Sequence, residues 1–128
     1  MDVEGHAVCR DWLRAVLDAG EPVTLPDLVA VGFLRIVSNP RAFRRPRPIE
    51  DARTVVEAIY ASPGFLPAEC GPRSISRMLD IVPGSTRTGS TTTDAYIAAI
   101  ALEMGATLVT ADRGFSRFVG LRLLNPLQ

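Results

Sequence analysis

The sequence predicts an α/β fold in which a mostly parallel sheet is covered by helices on both faces, in three α/β/α layers. Three observations predict it. Helical stripes of apolar residues alternate with short apolar runs, turn residues such as Gly20 and Ser62-Pro63-Gly64 separate them, and Gly105 divides a helical pattern from an apolar run. Alternation of helix and strand is typical of parallel sheets, whose crossover connections place helices on both sides.

The first half of the chain predicts three helices and two short strands. Apolar residues at Cys9, Leu13 and Val16 follow the helical period, and Gly20 is a natural stop. Glu50 and Asp51 suit the first turn of another helix, where the macrodipole favours negative charge. The predicted helices cover residues 6–19, 27–38 and 49–61, and the strands residues 22–25 and 65–66.

The second half predicts a helix over residues 73–80, a polar loop over 83–93 and a helix over 94–104 with Thr93 as its N-cap. Gly105 ends that helix. A buried strand is expected over residues 107–111, directly before Asp112. A short helical piece near residues 115–118 and a strand over 121–124 complete the pattern.

Composition restricts the class of protein. A chain of 128 residues, 47% hydrophobic and with zero net charge, predicts one globular domain over residues 1–128 and no general attraction to nucleic acid or membranes. Cys9 and Cys70 stand apart from any metal-binding motif, which favours free thiols. Neither a signal peptide nor a long apolar segment is visible, so a cytoplasmic protein is expected.

Two aspartates are predicted to meet at one edge of the sheet. Asp94 opens a predicted helix, and Asp112 follows the next predicted strand. A helix of about eleven residues descends roughly 16 Å, and a strand of about five residues climbs back by about the same distance. Open α/β sheets bind ligands at this edge. By spacing alone, Asp94 can equally be a first-turn helix acid and Asp112 a turn residue.

A pair of carboxylates at this edge would suit a divalent cation. Two neighbouring carboxylates repel each other unless a cation lies between them. Hard oxygen ligands prefer Mg²⁺ or Mn²⁺, and the sequence offers no His/Cys set for zinc. Such an ion can activate water for cleavage of a phosphodiester.

Two stretches carry a resemblance to a known family. The run TTDAYIAAIALEMGATLVTADRGFSRFVGLRLLNP, at residues 92–126, resembles the C-terminal half of PIN domains of the VapC toxin type. Upstream, GFLRIVSNPRAF, at residues 32–43, is similar to another segment of the same subfamily. The resemblance implies a PIN-like fold and a Mg²⁺- or Mn²⁺-dependent endoribonuclease toxin of a type II toxin–antitoxin system. It also implies an RNA substrate, a small antitoxin partner and a homodimer.

The same resemblance assigns residues. It implies that Asp94 and Asp112 are catalytic metal ligands and that Thr110 supports Asp112. Relatives carry further acids where this chain has Gly114 and Gly32. Asp27 is either a substitute for the family Glu that Gly32 replaces or a simple first-turn helix acid. PIN domains also open with a strand bearing an acid, which has no counterpart here, so we expect an N-terminally incomplete domain.

Arginines form the candidate substrate contacts, because the planar guanidinium suits phosphate. The candidates are Arg113 beside Asp112 and three residues of a Pro/Arg-rich loop that can equally be a solvated segment: Arg41, Arg44 and Arg45. The alternative to an enzyme is a catalytically depleted PIN-derived module that binds an antitoxin-like partner or RNA. A phospho-receiver is disfavoured because the sequence has no Lys.

Overall fold

The computed structural model describes residues 3–37, 49–68, 70–82 and 89–128. Within these ranges the elements follow one another as α1 Val3–Asp18, α2 Asp27–Val37, α3 Ile49–Ala61, α4 Pro72–Ile81, α5 Gly89–Met104, β1 Thr107–Val109, a 3-10 helix Arg113–Arg117, and β2 Arg122–Leu124. Leu13–Pro67 form one compact unit, and the other described residues form a second. Compact units can be parts of one domain, so the single domain stays a prediction.

The predicted α/β class is confirmed. Strands β1 and β2 pair in parallel, with Thr107 opposite Arg122 and Val109 opposite Leu124. The ladder continues past β1, since the backbone N–H of Thr110 donates to the carbonyl of Leu124 at 3.0 Å. The strands predicted at residues 22–25 and 65–66 are wrong as strands, because a single parallel bridge joins Val23 to Phe65.

The core of the second unit lies between α5 and the segment after β1. Ala95 and Ala98 of α5 are 0% exposed, and they pack with Phe115 and Phe118 at 6% and 5%. Alanine offers little side-chain volume, so the two aromatic rings can approach the α5 backbone closely. Partly buried side chains complete the cluster: Met78, Ile81, Val82, Ile97, Leu108 and Leu121.

The unit Leu13–Pro67 has a small apolar core of its own. Helices α2 and α3 pack together, and Ala30, Ala52 and Val56 are buried. Tyr60 meets Phe65 edge-on, with ring centroids 5.1 Å apart. This unit carries Asp27 in the first turn of α2, where the macrodipole favours an acid.

Two expectations for the second half are wrong. Helix α5 begins at Gly89, so residues 89–93 are helical and Thr93 is not its N-cap. Ser and Thr cost only about half a kcal/mol each in a helix interior, and extending a helix that already exists is far easier than nucleating one. Strand β1 is also not buried, since Val109 is 42% exposed; among the described residues β1 pairs with β2 alone.

Gly105 permits the turn from α5 into β1, and this yields a stability prediction. Its φ is +62°, and the Gly105 and Ala106 N–H groups donate to the carbonyls of Leu102 and Ala101 at 3.2 and 2.9 Å, the Schellman pattern. Gly105→Ala should lower the free energy of unfolding by about 1 kcal/mol, because L residues are strained at positive φ. Urea unfolding followed by circular dichroism measures it.

Gly32 is the matched control for that experiment. It lies inside α2, and an added Cβ would have nothing within 4 Å, as at Gly105. Because Gly in a helix interior costs roughly 0.5–1 kcal/mol relative to Ala, Gly32→Ala should raise stability. Destabilisation of the same size by both substitutions would contradict the backbone explanation.

Candidate active site

Asp112 is held by the turn that follows β1. It caps the 3-10 helix with extended backbone angles, and its Oδ1 accepts from the N–H of Gly114 at 2.8 Å. Its own backbone N–H donates to Oγ1 of Thr110 at 3.0 Å. These two bonds fix the turn on both sides of the carboxylate. Thr110 therefore orients the Asp112 backbone, and a role in chemistry stays a prediction.

Asp94 lies in the second turn of α5, and its side chain is 28% exposed. Its Oδ2 accepts from Nη2 of Arg117 at 3.1 Å. The early start of α5 moves Asp94 away from the end of the helix, where the sequence had predicted it. The carboxylate nevertheless contacts the segment that Asp112 begins.

Arg117 connects the two acidic positions. Besides Asp94, its guanidinium donates through Nη1 to the carbonyl of Gly114, the residue whose backbone N–H donates to Oδ1 of Asp112. Its Cζ lies 4.5 Å from the centroid of the Phe118 ring, a cation–π arrangement. A continuous set of contacts thus runs from Asp94 through Arg117 and Gly114 to Asp112.

Sequence reasoning missed Arg117, although a signal for it exists. In a 3-10 helix, side chains at positions i and i+3 eclipse each other. Arg117 is three residues after Gly114, within the short helix Arg113–Arg117. The Arg117 side chain is therefore expected to lie near Gly114, and its guanidinium indeed donates to the carbonyl of that residue.

A pocket of about 310 Å³ opens beside Asp112. It is lined by six residues with polar side chains and by two apolar residues: Thr110, Asp112, Arg113, Ser116, Asn125 and Gln128, with Ala111 and Leu123. The volume is at the lower end of the range for small-ligand pockets, roughly 300–1,000 Å³. Arg113 thus lines the same pocket as the candidate acid Asp112.

The remaining candidates belong to other parts of the chain. Asp27 is exposed in the other unit, and its role in a site stays a prediction. Within the described ranges no group of three His, Cys, Asp or Glu side chains could hold a metal ion. Three of the candidate arginines lie outside the described residues: Arg41, Arg44 and Arg45.

Tyr96 lies two residues after Asp94 on α5. Burial raises the pKa of its hydroxyl above the usual 10.0, and the charge of Cys70 and a hydrogen bond with Cys70 raise that pKa further. The Tyr96 hydroxyl is consequently protonated near neutral pH and is unsuited to act as a general base.

Comparisons with known proteins give consistent findings. The chain matches the PIN domain family over residues 2–121. It is 37% identical over 125 residues to ribonuclease VapC25 of Mycobacterium tuberculosis strain H37Rv, covering 98% of this chain and 88% of that protein. Against ribonuclease VapC43 of the same strain, identity is 38% over 126 residues, covering 98% and 86%. Ribonuclease VapC31 is 36% identical over 125 residues, with 98% and 88% covered.

Hydropathy adds one finding about membranes. None of the helices in the described part of the chain combines the length and the apolar character that crossing a bilayer requires.

Proposed function

The chain belongs to the PIN domain family, in the group of the VapC ribonucleases, and from this premise we propose that it is the endoribonuclease toxin of a type II toxin–antitoxin system. It would cleave RNA phosphodiesters by metal-dependent hydrolysis. The observation that carries this proposal is that Asp94 and Asp112, the acidic pair, belong to one connected set of contacts, through Arg117 and Gly114, and that Asp112 also lines a pocket.

The donor set fits a Mg²⁺ or Mn²⁺ ion. Both candidate ligands are carboxylates, and Mg²⁺ is usually held in proteins by one or two carboxylates, with water and substrate phosphate supplying the other ligands. Asp94 and Asp112 would hold the ion, and Thr110 would keep the Asp112 turn in position. When bound, such an ion makes water a better nucleophile and stabilises charge on the phosphate being cut.

The pocket supports a role for Arg113 in binding RNA. Arg113 is exposed and lines the pocket together with Asp112. A guanidinium can donate two parallel hydrogen bonds to a phosphate group and offset its charge. We infer that Arg113 orients the RNA backbone toward the acids. A role of Arg41, Arg44 and Arg45 in binding RNA phosphates stays a prediction from the sequence.

The proposal includes partners. Relatives named VapC ribonucleases support an RNA substrate and a small antitoxin partner here. That the tail of the antitoxin enters the acidic site is part of the proposal. A homodimer in the cytoplasm completes the proposal. Negatively charged Asp94 and Asp112 favour an antitoxin segment with basic side chains, because opposite charges determine the register of such contacts.

Removal of metal tests the proposal directly. Incubation of the full chain with structured RNA in Mg²⁺ should give discrete cleavage products, and EDTA should reduce their formation to background. Addition of excess Mn²⁺ or Mg²⁺ should restore it. Gel separation of end-labelled RNA is the measurement. Cleavage that persists in EDTA would refute the metal-dependent mechanism.

A second candidate function is a binding module with a depleted acidic site. The observation favouring it is that no third carboxylate joins Asp94 and Asp112 in a metal-binding group within the described ranges. A module of this kind would bind a labelled antitoxin-like peptide or RNA in Mn²⁺ without cutting RNA. Discrete, EDTA-sensitive products would exclude it.

A further inference from the structure

We propose that Arg117 is a built-in counterion of Asp94 that a divalent metal ion must displace, so that competition within the chain lowers metal affinity. This inference rests on the proposed function, because it concerns the same acidic pair. Two neighbouring carboxylates repel each other unless a cation compensates their charge. The guanidinium of Arg117 donates to the Asp94 carboxylate and to the carbonyl of Gly114, whose N–H donates to Asp112, so Arg117 is the basic group that compensates Asp94.

Three contacts hold the guanidinium where it competes. Nη2 donates to Oδ2 of Asp94 at 3.1 Å, Nη1 donates to the carbonyl of Gly114, and the group lies over Phe118 at 4.5 Å. The Arg117 side chain is 36% exposed. The carbonyl of Gly114 and the Phe118 ring hold the side chain beside Asp94, so the pair is placed in the range of a partly exposed ion pair with defined geometry.

Gly114 makes room for this arrangement. A Cβ at position 114 would lie 2.9 Å from Nη1 of Arg117 and 3.0 Å from Oδ1 of Asp112. Any side chain there would push the guanidinium away from the turn. The absence of a side chain at Gly114 therefore leaves the space that the Arg117 guanidinium occupies when it contacts Asp94.

Competition follows from the chemistry of the shared oxygen. Oδ2 of Asp94 has lone pairs that either a guanidinium N–H or a metal ion can use. A guanidinium that stays in place would also repel an incoming divalent ion. Metal binding through Oδ2 of Asp94 therefore competes with Arg117, and the cost of moving or tolerating that guanidinium weakens the apparent affinity.

Calorimetric titration of the metal-free full chain with Mn²⁺ tests the proposal. Arg117→Met removes the charge and retains an apolar side chain that can contact Phe118. We expect Arg117→Met to bind Mn²⁺ roughly two- to fivefold more tightly than the parent, the range that an exposed ion pair of this kind supports. In Asp94→Asn, the further substitution Arg117→Met should no longer tighten Mn²⁺ binding.

Arg113→Met is the matched control. Arg113 belongs to the same 3-10 helix and its substitution removes the same charge, but it lines the pocket beside Asp112. We expect a smaller effect from Arg113→Met. If both substitutions increase Mn²⁺ affinity equally, the cause is the change in net charge, and the proposal is overturned. Circular dichroism of each variant verifies that it is folded.

The remaining outcomes separate this inference from the proposed function. Parent and Arg117→Met with equal Mn²⁺ affinity would overturn the inference and leave the nuclease proposal standing. Weaker binding by Arg117→Met would instead make Arg117 a positioning residue that holds Asp94 for the metal. Absence of Mn²⁺ binding in the parent and in every variant would sink both proposals.

Discussion

Asp94→Asn is expected to reduce RNA cleavage at least about 100-fold while leaving the chain folded. The substitution keeps the size of the side chain and removes its charge. Residues that merely orient metal ligands cost 10–100-fold when changed, so a direct ligand should cost no less. Initial rates of cleavage of end-labelled RNA at saturating Mg²⁺ provide the measurement.

The structure limits how much of that loss can come from unfolding. Asp94 pairs with Arg117 on a partly exposed surface, with side-chain exposures of 28% and 36%. Pairs of this kind contribute about 0.2–1 kcal/mol to stability. Asp94→Asn should therefore unfold nearly as the parent does. A large loss of stability would assign Asp94 a structural role.

Asp80→Asn is the matched control for the activity measurement. Asp80 is exposed on α4, in the same compact unit, and does not line the pocket beside Asp112. It undergoes the same chemical change and should retain parental activity. Equal loss of cleavage in both variants, or undiminished cleavage in Asp94→Asn, would contradict the assignment of Asp94 to the acidic pair.

Helices were the most predictable part of this fold. Helix α3 has the bounds predicted for it, Ile49–Ala61, because Pro48 and two acids precede the stripe and Ser62-Pro63-Gly64 ends it. Helix α5 was predicted too short, because a run of Ser and Thr carries local preferences for turns and caps. Those preferences are weak, and the helix extends through them from a well-packed centre.

The candidate site was predictable to the extent that chain direction determines it. A helix followed by a parallel strand returns the chain to the same edge, which brings Asp94 and Asp112 into one region without any knowledge of side-chain packing. Arg117 depends on rotamers, on the space left at Gly114 and on the Phe118 ring. The rotamer, the space and the ring position all depend on tertiary packing. The sequence shows only that Arg117 comes three residues after Gly114.

The position of Asp112 should depend on a buried ring three residues later. Phe115 is 6% exposed and packs with Ala95, Ala98 and Phe118, its ring centroid 6.1 Å from that of Phe118. Phe115→Ala should lower the free energy of unfolding by about 3–5 kcal/mol, because it removes apolar burial and leaves a cavity. For a domain with roughly 5–15 kcal/mol of stability, this is a large fraction.

Val119→Ala provides the comparison, since Val119 is 94% exposed just after the same short helix. Its substitution should change stability by no more than about 0.5 kcal/mol. Urea unfolding of both variants, followed by circular dichroism, makes the measurement. A similar small effect from both would mean that Phe115 does not hold the 3-10 helix against α5. In that case the contacts from Asp94 to Asp112 would need another explanation, because the aromatic cluster is what joins the two segments carrying the acids.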